Sequence, residues 1–242
     1  SYSIIDESEF SNTSCILVDD VLSTLQELAT YHRKQLNVPV IGITGSNGKT
    51  TTKELINAVL SKKYKTTATI GNLNNHIGVP LTLLSMNSTT QIGIVEMGAN
   101  HLKEIEFLCA LAKPDYGYIT NFGKAHLEGF GSIEGVIKGK CELYDYLISN
   151  NKSVFVNGND NIQVDKTNNA KRCVFGNSTE NDVNINFIEA HPFVKCKFNN
   201  LEVQSQLIGD YNFNNIAAAI PIGSYFKVEN KSIKTAIEHY TP

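Results

Sequence analysis

Residues 40–52 read Val40-Ile41-Gly42-Ile43-Thr44-Gly45-Ser46-Asn47-Gly48-Lys49-Thr50-Thr51-Thr52, and this stretch decides the fold. After Pro39, the short apolar run is a buried strand, and the glycines that follow it mark a tight turn. Downstream, to about Lys63, Leu55, Ile56, Val59 and Leu60 recur at helical spacing. A glycine-rich turn between strand and helix is the setting in which backbone amides cradle phosphate. Glycine lets the chain approach the anion closely, and the helix start faces it with the favourable end of the dipole. Gly45, Ser46, Asn47, Gly48, Lys49, Thr50 and Thr51 therefore read as an ATP-binding loop. In it Lys49 reaches the β- and γ-phosphates and the Thr50 hydroxyl binds Mg²⁺. The spacing departs from the usual G-x-x-x-x-G-K-[ST], because Ile43 stands five residues before Gly48.

Outward from the loop, the pattern repeats. Upstream, Val21 to Leu36 has helical spacing; downstream, strands at 65–70, 91–97, 116–121 and 153–157 alternate with helices near 77–86, 101–112 and 132–149. Alternation of this length predicts an α/β fold, a mostly parallel P-loop NTPase-like sheet with helices on both faces. In such sheets ligands lie beyond the carboxyl ends of the strands. A loop rich in Asn, Asp and Lys is expected near 157–172, and from about 160 to 208 the short polar and β-branched stretches predict a small antiparallel β extension. A helix follows from about Asn212 to Phe226, and a last one is expected from 230 until the chain end cuts it short.

The charge balance of 21 basic against 24 acidic residues, a net −3, provides no basic field for nucleic acid or an anionic membrane. No apolar run reaches the roughly 18 residues that a membrane helix needs. Five cysteines, an odd number without C-x-x-C spacing, read as reduced packing thiols of a cytosolic protein. The first residue is Ser1, which reads as a trimmed chain.

Five segments, in order, carry a resemblance. The loop Thr44-Gly45-Ser46-Asn47-Gly48-Lys49-Thr50-Thr51-Thr52-Lys53 is followed by Gly71-Asn72-Leu73-Asn74-Asn75-His76-Ile77-Gly78-Val79-Pro80 and by Glu96-Met97-Gly98-Ala99-Asn100. Then come Thr120-Asn121-Phe122-Gly123-Lys124-Ala125-His126-Leu127-Glu128 and Gly139-Lys140-Cys141-Glu142-Leu143. Together they resemble the Mur ligase family, and the second and third look like its D-alanyl-D-alanine-adding branch. An amide ligase of this kind transfers the γ-phosphoryl group of ATP to a carboxylate, and an amine then attacks the acyl phosphate, which requires metal and a positive clamp. Glu96, at a strand end beside the loop's strand, is the candidate Mg²⁺ ligand. The resemblance implies that His126 helps bind a second metal and that Lys140 is carbamoylated with CO₂ to support a second Mg²⁺. That reaction requires a neutral amine, hence a lowered pKa, and Lys138 competes for the role. Cys141 stands where relatives often carry glycine.

The resemblance also implies that Asn72, Asn74 and Asn75 face the muramyl-peptide substrate. The segment Gly209-Asp210-Tyr211-Asn212-Phe213-Asn214-Asn215-Ile216-Ala217-Ala218 is similar to another family segment, in which Asn212 and Asn215 lie near the adenine and ribose; Tyr211 replaces the usual histidine. The implied catalytic set is Lys49, Glu96, His126 and Lys140, with Thr50, Glu96 and His126 on metal. The implied substrates are UDP-N-acetylmuramoyl-tripeptide and D-alanyl-D-alanine, for a monomer in the bacterial cytoplasm that neither binds nucleic acid nor enters a membrane. Residues 1–38 are expected to be the tail of an N-terminal uridine-binding domain with a linker helix, 39–228 the central ATP-binding domain, and 229–242 the start of a truncated C-terminal domain. Alone, such a chain is expected to bind nucleotide weakly and not to ligate. The alternatives are another Mur-type or folylpolyglutamate-type ligase, or a non-catalytic nucleotide-binding module.

Overall fold

The structure, a computed structural model, describes residues 2–123 and 127–242. Strands β1 (Ser3–Ile5) and β2 (Cys15–Leu17) pair in parallel as a small separate sheet, and helix α1 (Val21–Gln35) follows. Asp20 caps α1 by accepting the Ser23 amide at 2.6 Å. The expected alternation then runs through β3 (Val40–Thr44), α2 (Lys49–Leu60), β4 (Thr66–Ala68), α3 (Gly78–Ser85), β5 (Ile92–Glu96) and α4 (Glu104–Ala112). It continues with β6 (Tyr116–Ile119), α5 (Leu127–Phe130), α6 (Ile133–Ser149) and β7 (Ser153–Asn157). The remainder is α7 (Asn161–Lys166), β8 (Lys171–Gly176), β9 (Val183–Ala190), β10 (Phe193–Phe198), β11 (Leu201–Ile208), α8 (Asn212–Tyr225) and α9 (Asn230–Glu238).

Nine strands form one sheet in the order β11-β10-β9-β8-β7-β6-β3-β5-β4. All five residues of both β3 and β5 are buried, as strands covered on both faces must be. One face is covered by α2, α8 and α9 through Leu55, Ile56, Val59, Ile216, Ile220, Ile233 and Ile237. The other is covered by α1, α3, α4 and α6 through Ala29, Val79, Leu83, Ile105, Leu108, Leu143 and Leu147. Register places the site. Ile43 lies opposite Glu96 on β5, and Thr44 lies opposite Ile119 on β6, so the loop leaving β3 is flanked by Glu96 on one side and Thr120 on the other.

Three expectations are corrected. In the segment 160–208, β8 and the start of β9 continue the parallel sheet, and the antiparallel extension is confined to the pairings of β10 with β9 and with β11. β8 and β9 share only two register pairs, Phe175 with Val183 and Gly176 with Asn184, so β9 peels away to start the meander. The polar loop near 157–172 contains α7, which Asp160 caps by accepting the amides of Ile162 and Gln163. The last helix is not cut short by the chain end, since α9 stops at Glu238. Ile233, Ala236 and Ile237 of α9 are buried in the same cluster as α2. At the other end, Arg33 of α1 is likewise tied into the central body, donating to the carbonyls of Leu36, Ala112 and Lys113 and to Asp115. All five cysteines are free thiols, with Cys109, Cys141 and Cys196 in the core. No helix among the described residues is long and apolar enough to cross a membrane.

Candidate functional site

The loop after β3 needs glycine at two points. Gly45 has φ +142° and Gly48 φ +76°, a region costly to residues with a Cβ. A Cβ at Gly45 would collide with Thr120 Oγ1 and lie 2.9 Å from the Thr120 amide; at Gly48 it would collide with Asn215 Oδ1. The loop is clamped from β6. Ser46 N donates to Asn121 O at 3.1 Å, and Asn47 N to Asn121 Oδ1 at 3.1 Å. Asn121 Nδ2 and Thr120 Oγ1 both donate to Asn47 O, at 2.9 and 2.6 Å. Ser46 Oγ donates to Gly123 O at 2.9 Å. Beyond the clamp, the first-turn amides of α2, from Lys49 through Thr51, lack intrahelical acceptors by geometry and suit an anion. Lys49 Nζ arches back over the loop to Gly45 O and Ser46 O, at 2.9 and 3.2 Å. Burial lowers its pKa, and the Glu96 carboxylate partly opposes that.

Glu96 ends β5 almost fully buried. Its Oε1 accepts from Asn74 Nδ2 at 2.8 Å and from Thr50 Oγ1 at 3.3 Å. Among the described residues its Oε2 is buried without a hydrogen-bond donor, and Lys53 Nζ lies 3.9 Å from it. A buried carboxylate oxygen left unmatched beside a threonine hydroxyl is a hard-oxygen donor set that fits Mg²⁺. No group of three or more His, Cys, Asp or Glu among the described residues could cage a metal. An ion held by Glu96 and Thr50 would draw further ligands from phosphate and water, as Mg²⁺ habitually does.

Two cavities adjoin here. One of about 400 Å³ is lined by residues 46–51 with Asn74 and Glu96. The other, of about 610 Å³, runs from Lys49 past Asn72, Asn74 and Asn75 to Ala99 and Lys103. Lys49 and Asn74 line both, so a phosphate donor in the first and an acceptor in the second would meet at them. Of the three asparagines, Asn74 is committed to Glu96, while Asn75 Oδ1 accepts the Ile77 and Gly78 amides at the entry to α3. Asn72 is exposed at the cleft.

Lys140 lies behind the cleft wall, buried in α6, with Nζ donating to Ala99 O at 2.9 Å and 5.1 Å from the Phe130 ring centroid. Burial, helped by the positive charge of Lys49, pushes its pKa down to about 8 against the pull of Glu104 and Glu142. Lys138 is exposed, so the two lysines differ in kind. His126 lies outside the described residues.

Asn212 and Asn215 do not present free amides to a base or ribose. Both are buried: Asn215 Oδ1 accepts from Thr52 Oγ1 at 3.1 Å, Asn215 Nδ2 donates to Asn212 Oδ1 at 2.8 Å, and Asn212 Nδ2 donates to Ile208 O at 2.9 Å. Their amides are satisfied internally, and Asn215 backs Gly48 from behind. Tyr211, beside them, is exposed. Sequence reasoning gave no role to Asn121, Lys53 or Glu142. Glu142 accepts the Lys103 and Glu106 amides at 2.6 and 3.0 Å and so fixes the start of α4 at the cleft wall. The available signals were a polar residue directly after a buried strand, and charged residues among the inward positions of a helix.

The sequence profile of the Mur ligase middle domain matches residues 43–223. The UDP-N-acetylmuramoyl-tripeptide--D-alanyl-D-alanine ligase of Bacillus subtilis is 39% identical over 225 residues, covering 90% of this chain and 48% of that protein. A crystal structure of MurF from Acinetobacter baumannii superposes with a TM-score of 0.87 at 28% identity, covering 99% of this chain and 54% of that one. The MurF ligase of Thermotoga maritima, solved in complex with ADP, gives a TM-score of 0.83 at 25% identity, over 99% of this chain and 57% of that one. The chain thus spans about half the length of these relatives.

Proposed function

The chain belongs to the Mur ligase family, and on that premise we propose that it is the ATP-binding core of a ligase joining D-alanyl-D-alanine to UDP-N-acetylmuramoyl-tripeptide. The observation that carries this reading is the meeting of two cavities at Lys49 and Asn74, beside a buried Glu96 oxygen with no donor among the described residues. Residues 45–51 hold the triphosphate, with Lys49 swinging from the Gly45 and Ser46 carbonyls onto the β- and γ-phosphates. Mg²⁺, when bound at Glu96 and Thr50, neutralises charge on the transferring phosphate. A precursor carboxylate in the larger cavity attacks the γ-phosphorus, the bond to the ADP oxygen breaks, and an acyl phosphate forms. The amine of D-alanyl-D-alanine then attacks the acyl carbon, the single bond from that carbon to the bridging oxygen breaks, inorganic phosphate leaves with that oxygen, and a proton leaves the nitrogen. Positioning and charge dominate such chemistry, because there is little covalent work for the protein to do. Lys140 is carbamoylated in this reading, its depressed pKa supplying the neutral amine the reaction with CO₂ requires.

The 39% identity to the Bacillus subtilis enzyme, together with the resemblance of the asparagine segment, favours the dipeptide as amine over a single amino acid or glutamate. The test is phosphate release with D-alanyl-D-alanine, single amino acids or glutamate as amine, run on the protein that carries this core. Release that depends on the dipeptide, and is lost in Lys49→Ala, is expected. Preference for glutamate would move the protein to the folylpolyglutamate type, and nucleotide affinity unchanged in both Lys49→Ala and Glu96→Ala would remove the site altogether.

A further inference from the structure

Lys53 stands one helical turn beyond Lys49 on α2, and its side chain is wholly buried. A buried ammonium is costly unless its donors are matched. Here Nζ donates to Thr69 O at 2.6 Å and Gly71 O at 3.3 Å, pairs with Glu54 Oε1 at 2.9 Å, and lies 3.9 Å from Glu96 Oε2. Thr69 and Gly71 lie just past β4, where the segment bearing Asn72, Asn74 and Asn75 begins. That segment returns to Glu96 from the other side: Asn74 Nδ2 donates to Oε1, Glu96 N donates to Thr69 Oγ1 at 3.0 Å, and Gly98 N donates to Asn74 O at 2.7 Å. The contacts close a ring from Lys53 through residues 69–74 to Glu96 and back to Lys53.

We propose that Lys53 is a positioning residue that locks Glu96 and residues 69–75 into one unit, so that an ion bound at Glu96 is sensed by the acceptor-side loop through Asn74. The inference rests on the reading above only in taking Glu96 as the Mg²⁺ ligand. Glu96 Oε1 serves both Thr50 and Asn74, so an ion that takes the open Oε2 and the Thr50 hydroxyl draws on the same carboxylate that the Asn74 amide holds. Lys53 fixes the start of the loop through Thr69 O and Gly71 O, and its charge faces Oε2 at 3.9 Å without a hydrogen bond, so the carboxylate and the loop keep one arrangement while the ion binds. Groups that orient a metal ligand in this way are worth about 10-fold or more in metal affinity.

The test uses this chain, with ADP binding measured by calorimetry with and without Mg²⁺, and amide exchange followed over residues 69–78. In the unaltered chain, Mg²⁺ with ADP should strengthen binding and alter exchange in 69–78, whereas ADP alone should leave that exchange unaltered. In Lys53→Met, binding of ADP without Mg²⁺ should be retained, the Mg²⁺ enhancement should fall about 10-fold, and residues 69–78 should exchange faster and no longer respond. Lys53→Gln, which keeps a donor for Thr69 O, carries the same readouts if the methionine variant does not fold. An enhancement that is kept or increased overturns the proposal, since a lysine acting only as a neighbouring positive charge would repel the ion and its loss would help. Absence of any Mg²⁺ enhancement in the unaltered chain refutes the Glu96 site itself. Enhancement without a response in 69–78 refutes the coupling alone.

Discussion

Removing or titrating Lys140 should expose the chemistry its surroundings impose. The fall from 10.5 to about 8 has burial as its first cause and the Lys49 charge as its second. It corresponds to roughly 3 kcal/mol of preference for the neutral amine over the ammonium. With a folded value below the unfolded one, the protonated group binds fewer protons when folded. Its cost is fully present below pH 8 and disappears as pH rises from about 8 to 10.5, so stability should climb across that window. At pH 7 about one amine in ten is neutral, against about one in 3,000 for an ordinary lysine, a gain of about 300-fold in the form that attacks CO₂. The assay is NMR on protein with ¹³C-labelled lysine Cε. One resonance should titrate near pH 8, and under labelled CO₂ one carbamate signal should appear, absent in Lys140→Met and retained in Lys138→Met. In urea unfolding, Lys140→Met should lack the rise in stability between pH 8 and 10. A Lys140 resonance that titrates above pH 10, together with no carbamate, would refute the reasoning, for it would mean that the Ala99 carbonyl and the Phe130 face solvate the ammonium well enough to cancel its burial.

Two further substitutions probe the frame. Gly48→Ala places a Cβ at φ +76° and against Asn215 Oδ1; it should cost about 1–2 kcal/mol from the left-handed backbone alone and weaken ADP binding. Adding Asn215→Ala should recover part of the loss but not the backbone cost, and full recovery in calorimetry and thermal melts would show that the clash was the whole effect. Arg33→Met removes the donor shared by three carbonyls at the ends of α1 and α4 and by Asp115 at 2.9 Å; urea unfolding should show a loss of about 3 kcal/mol, and a loss below about 1 kcal/mol would mean that water replaces those contacts.

The parallel sheet was legible because its strands and helices announce themselves by period. Apolar runs such as 40–44 cannot serve as amphipathic helix, and Leu55, Ile56, Val59 and Leu60 cannot serve as strand. The direction of β8 and β9 was not legible, because a short β-branched run reads the same in either orientation and only its neighbours decide. The six-residue α7 escaped because it hides in a polar stretch and draws its start from a single residue, Asp160. The internal hydrogen bonds of Asn212 and Asn215 were not legible either. Their partner Thr52 lies 163 residues from Asn215 in the chain, and no local pattern reveals a contact of that separation. Lys53 escaped for the same reason: in sequence it is another polar residue of the first turns of α2, and only the arrival of the 69–71 carbonyls from β4 makes it an internal cation.

What the loop motif could not supply was the side from which each partner approaches, and strand register supplies it. On β5 successive side chains alternate between faces, so a slip of one residue would exchange Val95, now in the core with Val40 and Met97, for Glu96. The carboxylate would enter an apolar layer, and a valine would face Thr50 and Asn74. The alignment of Ile43 with Glu96 is therefore as functional as any side chain in the loop. The Thr44 to Ile119 alignment does the same on the other flank, since it delivers Thr120 and Asn121 to Asn47. A buried charge beside the loop can be tolerated only where a cation and donors are already fixed around it. That condition is met at this register by Lys53, Thr50 and Asn74, and a one-residue slip would take the carboxylate away from all three.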